Sequence, residues 1–107
     1  MKIIWTESAQ DDLLTIRQYL KQSESPDYAR KVTQQIRDEV ASLMQWPNKG
    51  TLLGELEELN LSRYRQLLAG QHRIIFERGD RECFYIYIVC HTSRDLAALL
   101  RRRILSS

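Results

Sequence analysis

HRIIFERGDRECFYIYIVC, residues 72–90, decides how this chain folds. Its aromatic and β-branched residues form two extended runs, 72–77 and 83–90, separated by Arg78-Gly79-Asp80-Arg81. Such runs around Gly-Asp have the composition of two antiparallel strands joined by a tight turn. The second run is apolar at successive positions, as expected of a strand covered on both faces, which places it centrally in a sheet. Outward from there, residues 63–69 form another extended run joined to the first through Gly70-Gln71, so three antiparallel strands are expected.

Further upstream the period becomes helical. Ala9, Leu13, Leu14, Ile16, Tyr19 and Leu20 mark one amphipathic face, with Thr6 or Ser8 available as its cap and Asp11 and Asp12 suited to a first turn. Ser23-Glu24-Ser25-Pro26 resets the chain. A second helix then carries Tyr28, Ala29, Val32, Ile36, Val40, Leu43 and Met44 to about Gln45. So short a connection predicts an antiparallel helical hairpin. Lys2 to Trp5 reads as an edge or joining strand, and Trp46-Pro47-Asn48-Lys49-Gly50 as the break after the second helix. Gly54 with the acidic residues 55–58 marks a longer loop, and Ser93 is placed as the cap of a short closing helix bearing Leu96, Leu99, Leu100 and Ile104. The expected architecture is α+β: an N-terminal helical hairpin packed on a small antiparallel sheet, with a short C-terminal helix.

With 107 residues and 43% hydrophobic content, residues 1–107 make one domain. No apolar run approaches a bilayer crossing and the N-terminus lacks a signal-peptide pattern, so a cytoplasmic location is expected. Cys83 and Cys90 stand seven apart, on opposite faces of a regular strand, which argues against a disulfide between them. The cysteine and histidine spacing suggests no metal and no cofactor. The net charge of +2 conceals an asymmetry: residues 1–60 carry −3 and residues 61–107 carry +5, all nine cations of the latter being arginine. Arginine suits bidentate contact with phosphate or carboxylate.

Three motifs then converge. The second helix is followed by P-x-x-G (Pro47 to Gly50), one strand reads GQHRIIFE (70–77), and the last strand runs into VCHTSRDLAALL (89–100). In order and spacing these resemble the ParE branch of the RelE/ParE toxin superfamily over nearly the whole chain. That family's strand motif G-x-Y-R-I-x-Y is followed by H-x-x-R-D-L; here His72 and Phe76 stand at the two tyrosines and Arg73 at the arginine. The resemblance implies the toxin half of a type II toxin–antitoxin pair, with a cognate antitoxin as partner. RelE-branch members cut messenger RNA on the ribosome; ParE-branch members inhibit DNA gyrase.

The two activities make different demands. RNA cleavage by a 2′-hydroxyl needs a proton acceptor, a proton donor and cations for the developing phosphate charge. Arg73 and Arg94 fall where RelE-type nucleases keep phosphate-contacting arginines. Where those nucleases carry a tyrosine, six residues after the arginine, this chain has Leu100, and His91 is followed by Thr92 rather than tyrosine. His91 is the remaining candidate base, against a bland use as a strand-end histidine. His72 fills an aromatic packing place, and Tyr64, Tyr85 and Tyr87 read as core or cross-strand packing. Arg63 and Arg65, two apart on a strand, are expected to share a face with Arg73, either as an anion-binding patch or as a solvated face bridged to Glu77 or Glu82. Arg101, Arg102 and Arg103 read as an exposed helix end able to steer an encounter with an acidic partner or DNA-bound gyrase. The helices and half-open sheet are also expected to leave an apolar groove for an antitoxin segment.

The expectation is therefore a non-enzymatic gyrase-inhibiting toxin neutralised by an antitoxin. Its partner-binding candidates are Arg63, Arg65, Arg73, Arg94, Arg101, Arg102 and Arg103. The alternatives are a ribosome-dependent endoribonuclease using Arg73, His91 and Arg94, or a decayed toxin acting only as an antitoxin-binding partner.

Overall fold

Thr6 begins the folded chain's logic, because one hydroxyl serves two elements. It accepts from the Ala9 amide at 3.2 Å, capping the first helix, and donates to the Ile86 carbonyl at 2.8 Å on the last strand. In the computed structural model, described over residues 1–52, 54, 63–80 and 83–105 without the side chains of 104 and 105, the order is β1 (Lys2–Trp5), α1 (Glu7–Ser23), α2 (Pro26–Ala41), β2 (Tyr64–Ala69), β3 (His72–Arg78), β4 (Cys83–His91) and α3 (Leu96–Leu100). A single 3₁₀ turn, Ser42–Met44, extends α2, and a π-helical turn, Arg101–Leu105, extends α3. The acidic residues 55–58 expected as a loop lie outside the described residues, as do Arg81, Glu82 and the side chain of Ile104.

Ser25 caps α2 by accepting from the Tyr28 amide at 3.1 Å, with Pro26 in the first helical position. There proline's fixed φ and missing N–H cost nothing. Because α1 begins at Glu7, Asp11 and Asp12 lie in its second turn rather than its first. The two helices pack on each other and on the sheet as a hairpin.

The sheet runs β1-β4-β3-β2. β4 is interior, and β2, β3 and β4 are antiparallel as expected, while β1 joins β4 in parallel and makes the sheet mixed. The hairpin covers one face, where Ala9, Leu13, Val32, Ile36, Val40 and Leu43 meet Leu67, Ile74, Phe76, Phe84, Ile86 and Val89. α3 covers the other face: Leu96, Leu99 and Leu100 pack on Tyr64, Ile75, Ile88 and Cys90. Each such side chain contributes about 1.5–3 kcal/mol when fully buried, so the second face holds α3 firmly without a long helix.

A β-bulge divides β4. Ile75 pairs with Ile88 but Phe76 pairs with Ile86, leaving Tyr87 as the extra residue. A one-residue insertion reverses the alternation beyond it. Phe84 and Ile86 therefore face the hairpin, while Ile88 and Cys90 face α3. Cys83, alternating with Tyr85 and Tyr87, shares the α3 face with Cys90, contrary to the opposite faces expected of a regular strand. Both thiols are free, and seven residues of strand hold them roughly 20 Å apart.

Gly50 explains the P-x-x-G motif. Its φ is 112°, and a Cβ there would lie 2.7 Å from the Phe76 ring. The next residue, Thr51, exchanges two backbone hydrogen bonds with Gln66 at 3.0 and 2.9 Å, bringing the chain back onto the outer edge of β2.

Candidate functional site

The HTSRD segment after β4 is a hydrogen-bonded turn. The Arg94 amide donates to the His91 carbonyl at 3.0 Å, and the Thr92 amide to the Gln71 carbonyl at 2.9 Å. Asp95 caps α3 by accepting from the Ala98 amide at 3.1 Å. The expected cap, Ser93, is used otherwise: its amide donates to His91 Nδ1 at 3.1 Å and its Oγ lies 2.8 Å from the same nitrogen. Asp95 is adjacent to the first helical residue, the position a capping side chain must occupy to reach the second or third turn amide. Since Nδ1 accepts, Nε2 carries the proton and donates to Gln71 Oε1 at 3.1 Å. Both nitrogens of His91 are thus occupied.

His72 packs edge-on against His91, with ring centroids 5.5 Å apart. It is buried, and burial, followed by the neighbouring His91, lowers its pKa. The position fills an aromatic packing place, as expected.

Register separates the arginines expected to form one patch. Arg65 lies opposite Phe76, on the hairpin face, whereas Arg73 lies opposite Cys90, on the α3 face. Arg63 precedes β2 and turns onto the α3 face. There its Nε meets Glu77 Oε2 at 2.9 Å, its Nη2 donates to the Tyr64 hydroxyl at 3.2 Å, and its guanidinium lies over the Tyr64 ring at 5.1 Å. Tyr87, the bulge residue, donates to Glu77 Oε1 at 3.2 Å and meets Tyr64 edge-on at 5.3 Å. Burial, then the Glu77 charge, pushes the Tyr87 pKa up to about 12, so the phenol keeps its proton.

Arginine charge also acts on Cys90. Burial pushes the Cys90 thiol up, an effect opposed by the charge of Arg73 and, more weakly, by Arg94 and Arg103. Of these, Arg73 lies opposite Cys90 on the α3 face, whereas Arg103 reaches Asp12 of α1 and the Tyr87 carbonyl beside β4. Arg103 is not an exposed helix end: it is half-buried and holds Asp12 of α1 through both terminal nitrogens, at 2.8 and 2.5 Å. Arg101 and Arg102, on the same turn, are exposed as expected. Leu100, standing where a RelE-type tyrosine would be, is fully buried in the α3-side core.

The bridge from Arg63 to Glu77 is the one expected of a solvated arginine face, whereas the part played by Tyr64 and Tyr87 is not visible in the alternation of the strands, although half of the group is encoded locally. A two-residue turn at Gly70-Gln71 sets Ala69 opposite His72 and thereby Tyr64 opposite Glu77. Tyr87 enters only through the bulge.

Apolar side chains are also exposed among the described residues. Trp5, Leu13 and Leu14 line a groove rimmed by Gln10, Arg17 and Arg37, beside β1, which is paired on one side only. Leu14 is 53% exposed there. Met44, Trp46 and Leu52 are exposed after α2. Among the described residues, no helix is long and apolar enough to cross a membrane.

Comparisons with known proteins agree with this geometry. A solved structure described as the chromosomal ParDE TA system from P. aeruginosa superposes with a TM-score of 0.69 at 24% identity, covering 85% of this chain and 95% of that one. Comparison with curated protein sequences gives no match. The family model for the ParE toxin of the type II toxin–antitoxin system parDE matches residues 3–96, a span that includes the hairpin, all of the sheet but Lys2, and the first residue of α3. The chain therefore belongs to the ParE toxin family of type II toxin–antitoxin systems.

Proposed function

We propose that this ParE-family toxin acts in the cytoplasm by binding DNA gyrase, without catalysing a reaction of its own, and is neutralised by a cognate antitoxin. The observation that carries the non-catalytic reading is Leu100, fully buried at the position where a nuclease of this superfamily presents its tyrosine. The available proton-handling groups support the same reading. His91 has both nitrogens engaged in hydrogen bonds, and Tyr87 holds its proton to about pH 12, far from the near-neutral range in which a general acid or base works best. What the surface offers instead is fixed positive charge: Arg94, Arg101 and Arg102 stand on or beside α3, suited to an acidic protein surface or to phosphates of gyrase-bound DNA.

The groove of Trp5, Leu13 and Leu14 suits the antitoxin. An amphipathic segment with acidic residues would place apolar side chains on those three and carboxylates against Arg17 and Arg37. The test is to titrate gyrase with the purified toxin while following supercoiling, with ribosome-bound messenger RNA assayed in parallel. Arg73, paired opposite Cys90, and Arg94, exposed just before α3, are the observation behind one rival, a ribosome-dependent endoribonuclease using Arg73, Arg94 and His91. In that case messenger cleavage would appear and would be lost in a folded His91→Ala variant. A chain that inhibits neither process yet binds the antitoxin would be a decayed toxin.

A further inference from the structure

Asp12 and Arg103 are 91 residues apart in sequence and form a bidentate ion pair. The same carboxylate accepts from the Val89 amide at 2.9 Å, and the same guanidinium reaches the Tyr87 carbonyl at 3.4 Å. Val89 lies on β4 past Ile86, where the pairing with β1 stops. Asp12 supplies the acceptor that a longer β1 would have supplied. Three elements, α1, β4 and the turn after α3, therefore meet on one carboxylate.

The side chains of the pair are only 12% and 27% exposed, unlike surface ion pairs that contribute little. A two-pronged guanidinium–carboxylate contact fixes direction as well as distance. Arg101 and Arg102 lie on the same turn as Arg103 and are exposed. Where Arg103 is held decides where its two neighbours point.

We infer that Asp12 is a positioning residue for the toxin's contact with its target. By gripping Arg103 it fixes the Arg101–Leu105 turn on the sheet and aims Arg101 and Arg102 outward. The inference rests on the proposed reading that these two arginines meet gyrase.

Two substitutions separate the positioning role from general stability. Asp12→Asn keeps an acceptor for the Val89 amide but loses the charge and the two-pronged contact; Arg103→Gln removes the guanidinium and leaves Asp12 intact. Each is expected to raise the toxin concentration for half-inhibition of supercoiling about tenfold, the scale of a charged hydrogen-bonded contact. Amide exchange should quicken across residues 96–103 while the amides of Ile36, Ile74 and Ile86 keep their protection. Arg103→Lys, which retains charge without the fork, should fall between wild type and Arg103→Gln in both measurements.

Wild-type inhibition and exchange in both variants would overturn the inference, and so would a uniform loss of protection across the core, which marks a general stabiliser. If Arg101→Ala combined with Arg102→Ala inhibits gyrase as well as wild type does, the contact reading itself fails and the positioning role falls with it. Sensitivity to Arg101 and Arg102 without sensitivity to Asp12 overturns the positioning role alone.

Discussion

His72 and Gly50 show how single residues carry consequences that composition hides. The imidazole of His72 is buried against His91, and burial lowers its pKa below the usual histidine value. As pH falls through about 6.5 the unfolded chain takes up a proton on this residue before the folded chain does. Stability from this residue is therefore complete above that pH and declines as the solution is acidified. His72→Phe keeps an aromatic ring in place and removes the titration; the urea midpoint of the variant should fall less than that of wild type between pH 7.5 and 5.5. Equal falls would show that His72 does not titrate differently on folding. Gly50 is constrained by both φ and space. Gly50→Ala should cost about 1–3 kcal/mol in chemical denaturation, and an unchanged midpoint would mean that the turn relaxes freely.

Elements were legible from sequence where a local rule was decisive. Pro26 after Ser25 fixed the start of α2, and the two-residue turn at Gly70-Gln71 fixed the register of β2 with β3. The run CFYIYIVC concealed its bulge because every position in it is aromatic, β-branched or cysteine, so no glycine or polar residue marks the insertion. Opposite faces for Cys83 and Cys90 followed from assuming a regular strand. The cap of α3 is hidden for a related reason: Ser93 and Asp95 are both good capping residues, and only the His91 contact shows that Ser93 is already committed. Asp95→Ala should therefore destabilise the protein by about 1 kcal/mol, the usual value of a lost cap, as measured by urea denaturation. Ser93→Ala should cost less; the reverse order would return the cap to Ser93.

At the scale of the whole molecule, the helical hairpin, sheet and α3 make a layered fold whose two faces have separate cores. Core membership of Leu13, Ile36, Ile74 and Ile86 was readable from periodicity, because each lies on an apolar face of its element. The site was less readable. Alternation puts Arg63, Arg65 and Arg73 in one patch, yet pairing sends Arg65 and Arg73 to opposite faces, and Arg103 is bound by a carboxylate far away in sequence. No local pattern encodes a contact of that separation.

The fold also limits how the toxin could be converted. Leu100→Tyr restores the residue type of the nuclease branch but places a larger, polar-tipped side chain in a fully buried site. It should cost about 1–3 kcal/mol from overpacking and produce no messenger cleavage, as read by denaturation and a ribosome assay. Cleavage by this variant would show that a single missing phenol separates the two activities.

Titrating purified gyrase with the wild-type chain, and measuring supercoiling before and after adding the cognate antitoxin, tests the central claim most directly. The expected result is concentration-dependent loss of supercoiling that the antitoxin reverses, with ribosome-bound messenger RNA left whole. Undiminished supercoiling at saturating toxin, together with messenger cleavage that His91→Ala abolishes, would contradict it.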